Sequence, residues 1–191
     1  MAEKIHNRIS EITITKAIEI DTAAKKLIAA GSKVYNFSCG EPDFPSPNFI
    51  RQSLTKAFDQ GNTKYGNVIG QTSLRQEIVR KLKRDNDLSY QVENIAVTNG
   101  CKQALYNSLH AILEKGDEVI VYPPLWGSYA EQIKLAEGVP RFVEMDKNME
   151  PDIERTRQAL SSKTRAVIIN SPNNPTSMVY SKERLQELAK L

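Results

Sequence analysis

The residues with the clearest chemical potential form the segment 170–176, Asn-Ser-Pro-Asn-Asn-Pro-Thr. It follows the apolar run 166–169, Ala-Val-Ile-Ile, a pattern typical of a buried parallel strand. The two prolines restrict the residues before them, so we expect Ser171 and Asn174 to be extended, with side chains held in one direction. Ligands of open α/β sheets bind at the carboxyl ends of strands. The Asn174 amide is therefore a candidate hydrogen-bond donor to a ligand.

A second candidate site is the segment 99–102, Asn-Gly-Cys-Lys, at the point where a predicted strand turns into a predicted helix. The first N–H groups of a helix have no partner within the helix, and the helix dipole favours negative charge there. Gly100 lets the backbone approach an anion closely. This pattern favours a phosphate site. The alternative is an ordinary strand-to-helix turn with an incidental glycine.

Trp126 is the only tryptophan of the chain, and it follows two prolines after the predicted strand 118–122. The prolines can hold the indole rigidly at the same sheet edge as Gly100. A flat ring in that position can stack on a planar ligand. The alternative is a tryptophan that packs in the hydrophobic core.

Together with two other segments, these residues resemble the class I and II aminotransferases, the fold-type I enzymes that use pyridoxal 5'-phosphate. The matching segments occur in the order of the family: Gly-Glu-Pro-Asp-Phe at 40–44, Lys-Tyr-Gly at 64–66, Asn-Gly-Cys-Lys-Gln-Ala-Leu at 99–105, Tyr-Pro-Pro-Leu-Trp at 122–126 and Asn-Pro-Thr at 174–176. The resemblance extends from about residue 8 to the last residue. It departs from the family at Ser177, where glycine is usual, and at Thr72, where proline is frequent.

The resemblance implies that five residues bind the cofactor within one subunit. Gly100, Cys101 and Lys102 cradle its phosphate, and Trp126 stacks on its ring. Asn174 donates to the phenolate oxygen, which favours the deprotonated form. The alternative role for an asparagine in this loop is a local turn that serves only the backbone, and Asn173 is the better candidate for it.

Two further residues have implied roles outside that group. Tyr65 lies in a glycine-rich stretch and, in the family, reaches the phosphate of the cofactor in the other subunit of a homodimer. The alternative is an ordinary surface tyrosine. Gly40 offers its backbone N–H to the carboxylate of the substrate, where a side chain would block the approach.

The resemblance also implies what these 191 residues lack. In the family, the Schiff-base lysine and the arginine that binds the substrate carboxylate lie in the second half of the sequence. Lys102 lies at the phosphate end of the cofactor and cannot replace that lysine. No catalytic residue is therefore expected here, and we expect the chain alone to be inactive.

The function that the resemblance implies for the full-length parent is transamination between an amino acid and a 2-oxo acid. A lyase or decarboxylase of the same fold is one alternative, since the same N-terminal groups serve several reactions. A non-catalytic, truncated subunit that binds cofactor or forms dimers is another.

Composition limits the remaining possibilities. The chain is 40% hydrophobic and 26% charged, as is ordinary for a folded globular protein. Its net charge of +3 is nearly balanced, which gives no support to nucleic-acid binding. Cys39 and Cys101 lack the spacing of a metal site, so we expect small buried residues with reduced thiols. The chain has neither an apolar signal core nor the ~20 apolar residues of a membrane span, so we expect a cytoplasmic protein.

The elements that must position these residues follow an α/β pattern. The first part is predicted to contain helices at 17–30, 47–60 and 74–85 and a short strand at 34–37. Strands then alternate with helices: strands at 95–98, 118–122, 141–144 and 166–170, and helices at 102–113, 129–136, 153–160 and 182–191. This order predicts a mostly parallel sheet with covering helices.

By resemblance, the fold is a partial fold-type I aminotransferase large domain at 47–191, preceded by an N-terminal arm and small-domain segment at 1–46. The family orders its strands 3-2-4-5-6-7-1. We therefore expect the strand at 95–98, the first of the seven, to have no neighbour, and one edge of the strand at 166–170 to be uncovered.

Overall fold

The computed structural model describes Ile9 and residues 12–13, 16–38 and 40–191; Cys39, and the prediction made for it, lie outside these ranges. The described chain divides into two compact units. The sheet unit contains the described residues up to Glu19 together with Leu105–Leu191, and the helical unit contains Ile20–Ala104. The domain boundary expected near residue 46 stays a prediction.

Apart from two predicted strands, the elements follow the predicted order. The helices are α1 (Lys16–Ala29), α2 (Asn48–Asp59), α3 (Thr72–Asn86), α4 (Gly100–Ile112), α5 (Ser128–Leu135), α6 (Ile153–Ala159) and α7 (Lys182–Leu188), with a 3-10 turn at Val92–Asn94. The strands are β1 (Glu118–Val121), β2 (Val139–Phe142) and β3 (Thr164–Val167). Within the described ranges, no helix is long and apolar enough to span a membrane.

The sheet has three parallel strands in the order β2-β1-β3. This is the order that the resemblance implies for the second, third and fourth strands of the family, so the predicted α/β class with a parallel sheet and covering helices is confirmed. Strands β2 and β3 lie a few residues earlier than predicted. β1 is only four residues long. Its neighbours β2 and β3 therefore pair with it only between Glu118 and Val121.

β1 is buried on both of its faces. Val119 and Val121 point into one cluster, whose other buried members are Leu109, Leu113, Ile133 and Ala136. Ile120 and Tyr122 point into a second cluster with Val143, Met145 and Tyr180, against which Leu185 and Leu188 of α7 pack. Alternating strand residues thus contact helices on opposite sides, as expected for the central strand of a three-layer α/β unit.

An ion pair between Asp146 and Arg184 connects the turn that follows β2 with helix α7. The Arg184 guanidinium contacts the Asp146 carboxylate at 2.8 Å and donates to the carbonyl of Pro151 at 3.0 Å. Burial by itself raises the pKa of Asp146, but the N–H groups of Glu150 and Asn148 and the Arg184 charge outweigh it. The pKa of Asp146 therefore lies below its ordinary value, and the charged form stabilises the fold.

The helical unit has little buried surface of its own. Of its described residues, only Ala24 and Arg75 are buried, and the Arg75 guanidinium donates to the carbonyl of Val92. Its exposed apolar side chains include Phe37, Phe44, Phe49, Leu54 and Phe58. Large exposed apolar areas are typical of surfaces that contact other protein.

Two predicted strands of the helical unit are wrong. Residues 34–37 and 95–98 form no strand. A strand needs hydrogen bonds from a neighbour, and none of the described strands pairs with either segment. Instead, the N–H of Val97 donates to the carbonyl of Ile69 at 3.0 Å.

Gly70 packs directly against Val97 beside that hydrogen bond. Its φ is +99°, a conformation that favours glycine. A Cβ added at Gly70 would lie 2.7 Å from the Cβ of Val97 and 2.8 Å from its Cγ2. Position 70 therefore requires glycine both for its backbone and for the space beside Val97. The contact connects the loop at 61–70 to the segment that leads into α4.

We predict that Asp146→Asn lowers the free energy of unfolding at pH 7 by roughly 1.5–3 kcal/mol, the range for hydrogen bonds to charged groups. Because the folded pKa of Asp146 is depressed, its contribution is complete above about pH 4, the ordinary range for aspartate, and is lost as the pH falls through the folded value. Urea unfolding at pH 7 and near pH 2 measures the difference. A destabilisation of equal size at both pH values would contradict the charge-based account. Glu154→Gln, which breaks an exposed ion pair with Arg157, is the matched control and should have little effect.

We predict that Gly70→Ala destabilises the protein by about 1–3 kcal/mol from overpacking against Val97, with further strain from the left-handed backbone. Gly66→Ala is the control, because its added Cβ would be 4.0 Å from the nearest atom and its φ is not left-handed. The melting temperatures of the two variants provide the comparison. Equal decreases in both would show that the Val97 contact is not the cause.

Candidate functional site

The loop after β3 is closed by hydrogen bonds between its two arms. The N–H of Asn173 donates to the carbonyl of Met178 at 2.8 Å, and the N–H of Ser177 donates to the carbonyl of Asn173 at 2.7 Å. Nearer the base, the N–H of Tyr180 donates to Oγ of Ser171 at 2.9 Å. The loop is a narrow, internally bonded turn with Asn174 near its tip, where the Asn174–Pro175 peptide bond is cis.

Ser177 occupies the position where the family usually has glycine, and its backbone explains that preference. Its φ is +58°, in the left-handed region. A residue with a Cβ adopts this conformation at a cost of about 1–2 kcal/mol. The loop nevertheless closes around Ser177, so the departure at this position leaves the turn intact.

Asn174 and Asn173 have opposite environments although they are adjacent in sequence. Asn174 is exposed, and its amide makes no hydrogen bond with the described part of the chain. Asn173 is only 5% exposed, and its amide bonds within the protein. The interpretation that Asn173 takes the structural role, leaving Asn174 available to a ligand, agrees with this arrangement.

The Asn173 amide also connects the loop after β3 with the loop after β1. Its Nδ2 donates to the carbonyl of Pro124 at 3.0 Å and to Oγ1 of Thr176 at 2.9 Å. Pro124 lies two residues before Trp126. The structure therefore brings the Asn174 loop and the Trp126 loop together, through a contact between residues 49 positions apart. From sequence, only a local role was predicted for Asn173, and this link was missed.

Trp126 is half-buried at the start of the segment that leads into α5. Its ring meets the ring of Tyr129 edge to face, with centroids 5.3 Å apart. The N–H of Tyr129 donates to the carbonyl of Trp126 at 3.0 Å. The indole is therefore held at the carboxyl end of β1 with part of its surface open to solvent, and it is not a core residue.

Two buried tyrosines lie beneath these loops. Tyr122 hydrogen-bonds through its hydroxyl to Thr156 at 3.0 Å; burial raises its pKa, and the bond to Thr156 offsets part of the rise. Burial also raises the pKa of Tyr180, and the neighbouring Tyr122 adds to it. Both phenols stay neutral near pH 7. The cavity between them and the loops has a volume of about 10 Å³, which holds at most one water. This region supports the site and has no space for a ligand.

The predicted phosphate turn lies at the start of α4. Gly100 has a φ of +78°, and its N–H donates to the carbonyl of Thr98 at 2.8 Å. A Cβ added there would meet no atom within 4 Å, so the backbone conformation, not the available space, requires glycine. Cys101 and Lys102 are exposed in the first turn of α4. The prediction that Cys101 is buried is wrong, because the first turn of the helix faces solvent here; its thiol is free.

Tyr65 and Gly40 also lie in the helical unit. The Tyr65 side chain is fully exposed, with a relative accessibility of 108%. Gly40 is exposed, and an added Cβ would meet no atom within 4 Å among the described residues. Both positions are open to a ligand or to another chain. The roles predicted for Gly40, Tyr65 and the Gly100 turn stay predictions.

Comparisons with known proteins agree on one family. A family model described as aminotransferase class I and II matches residues 32–191. The chain is 43% identical over 189 residues to an aspartate aminotransferase of Thermotoga maritima, covering 98% of this chain and 50% of that protein. It is 42% identical over 193 residues to an aspartate aminotransferase of Bacillus sp. YM-2, covering 100% of this chain and 49% of the relative.

Solved structures give the same result. The aspartate aminotransferase of Thermus thermophilus with maleate superposes with a TM-score of 0.95 at 39% identity, covering 98% of this chain and 50% of that one. The chain thus spans about half the length of the curated relatives it matches. With the family match extending over residues 32–191, the chain belongs to the class I and II aminotransferases.

Proposed function

We propose that the full-length protein containing this chain transfers amino groups between an amino acid and a 2-oxo acid with pyridoxal 5'-phosphate. The observation that carries this proposal is the exposed, unpartnered Asn174 amide, joined through buried Asn173 to the loop of Trp126. The similarity to relatives named aspartate aminotransferase supports aspartate as the amino acid. In this proposal the 191 residues supply the half of the site that holds the cofactor.

The chemistry of the residues fits this cofactor in three respects. A half-buried indole suits its flat ring, and an unpartnered amide N–H suits its phenolate oxygen. The left-handed Gly100 at the start of a 13-residue helix suits a phosphate. When bound, the cofactor supplies an electron sink for negative charge at the substrate Cα.

Each group then has a defined task. Trp126 packs on the ring and excludes water from one of its faces. Asn174 donates to the phenolate oxygen, keeps it deprotonated and does not itself titrate near neutral pH. The left-handed turn at Gly100 directs the N–H of Cys101, in the first turn of α4, at the phosphate, and Lys102 adds positive charge nearby.

Two further residues serve the substrate and a second subunit. Gly40 offers its N–H to the substrate carboxylate, because no side chain obstructs the approach. The full-length protein is a cytoplasmic homodimer in this proposal, and the exposed Tyr65 reaches the phosphate bound by the partner subunit. The exposure of Tyr65 and of the apolar side chains of α2 supports such an assembly.

The family's proton-transferring lysine lies in the half that this chain does not span, so we predict that the isolated 191-residue polypeptide does not transaminate. The full-length protein mixed with pyridoxal phosphate should develop a visible absorbance that borohydride abolishes, and should convert aspartate with 2-oxoglutarate into oxaloacetate and glutamate. The isolated polypeptide should do neither. Turnover by the isolated polypeptide would refute the proposal that the proton-transferring group lies outside these 191 residues. Release of carbon dioxide or ammonia by the full-length protein, without glutamate, would instead indicate a decarboxylase or lyase.

We also predict that Trp126→Ala in the full-length protein raises the dissociation constant of pyridoxal phosphate by up to about tenfold, since aromatic stacking contributes about 0.5–1.5 kcal/mol. Trp126→Phe is the matched control and should retain most of the affinity, because it keeps a flat ring. Equilibrium dialysis of the apoprotein against the cofactor measures both constants. An unchanged constant in Trp126→Ala would remove Trp126 from the cofactor site.

A further inference from the structure

We propose that Asn173 is a positioning residue that fixes the Asn174 amide relative to the Trp126 ring. This inference rests on the proposed function, since it assumes that both groups act on one bound cofactor. It goes beyond that function because Asn173 is buried and acts through the position of Asn174. Its side chain is almost fully buried between the two loops that carry the two groups.

The hydrogen bonds of Asn173 leave its side chain no freedom to rotate. One N–H of the amide donates to the carbonyl of Pro124 and the other to Oγ1 of Thr176, so both donors are used. The main chain of Asn173 is fixed separately, by bonds with Met178 and Ser177. The bond to Pro124 therefore transmits the position of one loop directly to the other.

A purely local role would not require the Pro124 bond. Thr176 lies in the same turn as Asn173 and would satisfy a local bond by itself. Pro124 belongs to a different strand end, and the intervening chain contains α5, β2, α6 and β3. Trp126 follows Pro124 by two residues, and Asn174 follows Asn173 directly. The amide thus joins the two loops next to the groups that the proposed function uses.

The chemistry of the link is specific to an amide. An aspartate has the same shape, but when ionised it cannot donate, and it would place a negative charge beside the carbonyl of Pro124. The two loops would then separate, and the N–H of Asn174 would lose its alignment with the phenolate oxygen. Because hydrogen bonds weaken steeply when misaligned, loss of the link should have the same effect as loss of Asn174 itself.

The test is the pH midpoint of the visible absorbance band of the cofactor, measured by titration of the full-length holoprotein. Without the Asn174 donor the phenolate oxygen becomes more basic, so Asn174→Ala should raise the midpoint by about 0.5–1 pH unit. We expect Asn173→Asp to raise it in the same direction. In an Asn174→Ala background, Asn173→Asp should add nothing, because the group that it positions is already absent. If Asn173→Asp does not fold, Asn173→Ser replaces it, since a hydroxyl cannot donate to both acceptors.

Two controls separate positioning from general loss of structure. Ser171→Ala removes a different hydrogen bond of the same loop. Thr176→Val removes the hydroxyl that accepts from Asn173 and, at 3.4 Å, from the N–H of Met178, and it keeps the bond to Pro124. Both should leave the midpoint unchanged even if they lower the melting temperature. The inference is overturned if the Asn173 variant leaves the midpoint unchanged, shifts it no more than Ser171→Ala does, or shifts it equally in the Asn174→Ala background. A native protein that binds no cofactor would refute the proposed function itself, which is a separate result.

Discussion

The burial of β1 on both faces is the constraint on which the sheet unit depends. Residues 119–122 alternate between two hydrophobic clusters, and parallel neighbours pair along both edges of the strand. Because pairing is possible only along this short length, the ends of β2 and β3 are set by β1. The loops that follow β1 and β3 therefore leave the sheet side by side. That placement lets a single buried amide connect them, and it makes the position of a ligand-binding group a consequence of core packing.

Local sequence patterns predicted the helices and the sheet of this unit well, because apolar periodicity and proline positions act over a few residues. The strands expected at 34–37 and 95–98 failed for the opposite reason. A strand exists only when a neighbour supplies hydrogen bonds, and no pattern within a segment reports that neighbour. At Val97 the backbone bonds to the loop carbonyl of Ile69 instead. β-propensity therefore describes suitability for a sheet and does not establish that a sheet forms.

In the candidate site, too, some features could be predicted from the sequence and others could not. The adjacent Asn173 and Asn174 could be given different roles because the resemblance assigns the ligand to the asparagine of Asn-Pro-Thr, which is Asn174, and leaves Asn173 for the local turn. The bond from Asn173 to Pro124 could not be predicted, because a backbone carbonyl carries no sequence signal and the contact joins positions 49 residues apart. The exposure of Cys101 was missed because the usual burial of cysteine says nothing about the first turn of a particular helix.

Ser177 shows the cost of placing serine at a motif position where the family usually has glycine. Its left-handed backbone costs a residue with a Cβ about 1–2 kcal/mol in the folded protein. Glycine would avoid that strain, but it would widen the range of conformations open to the unfolded chain, at a cost of about 0.4–1 kcal/mol. The second effect offsets only part of the first, on these magnitudes. Glycine therefore remains the favoured residue at this turn, and serine is accommodated at a small net cost while the backbone shape is kept.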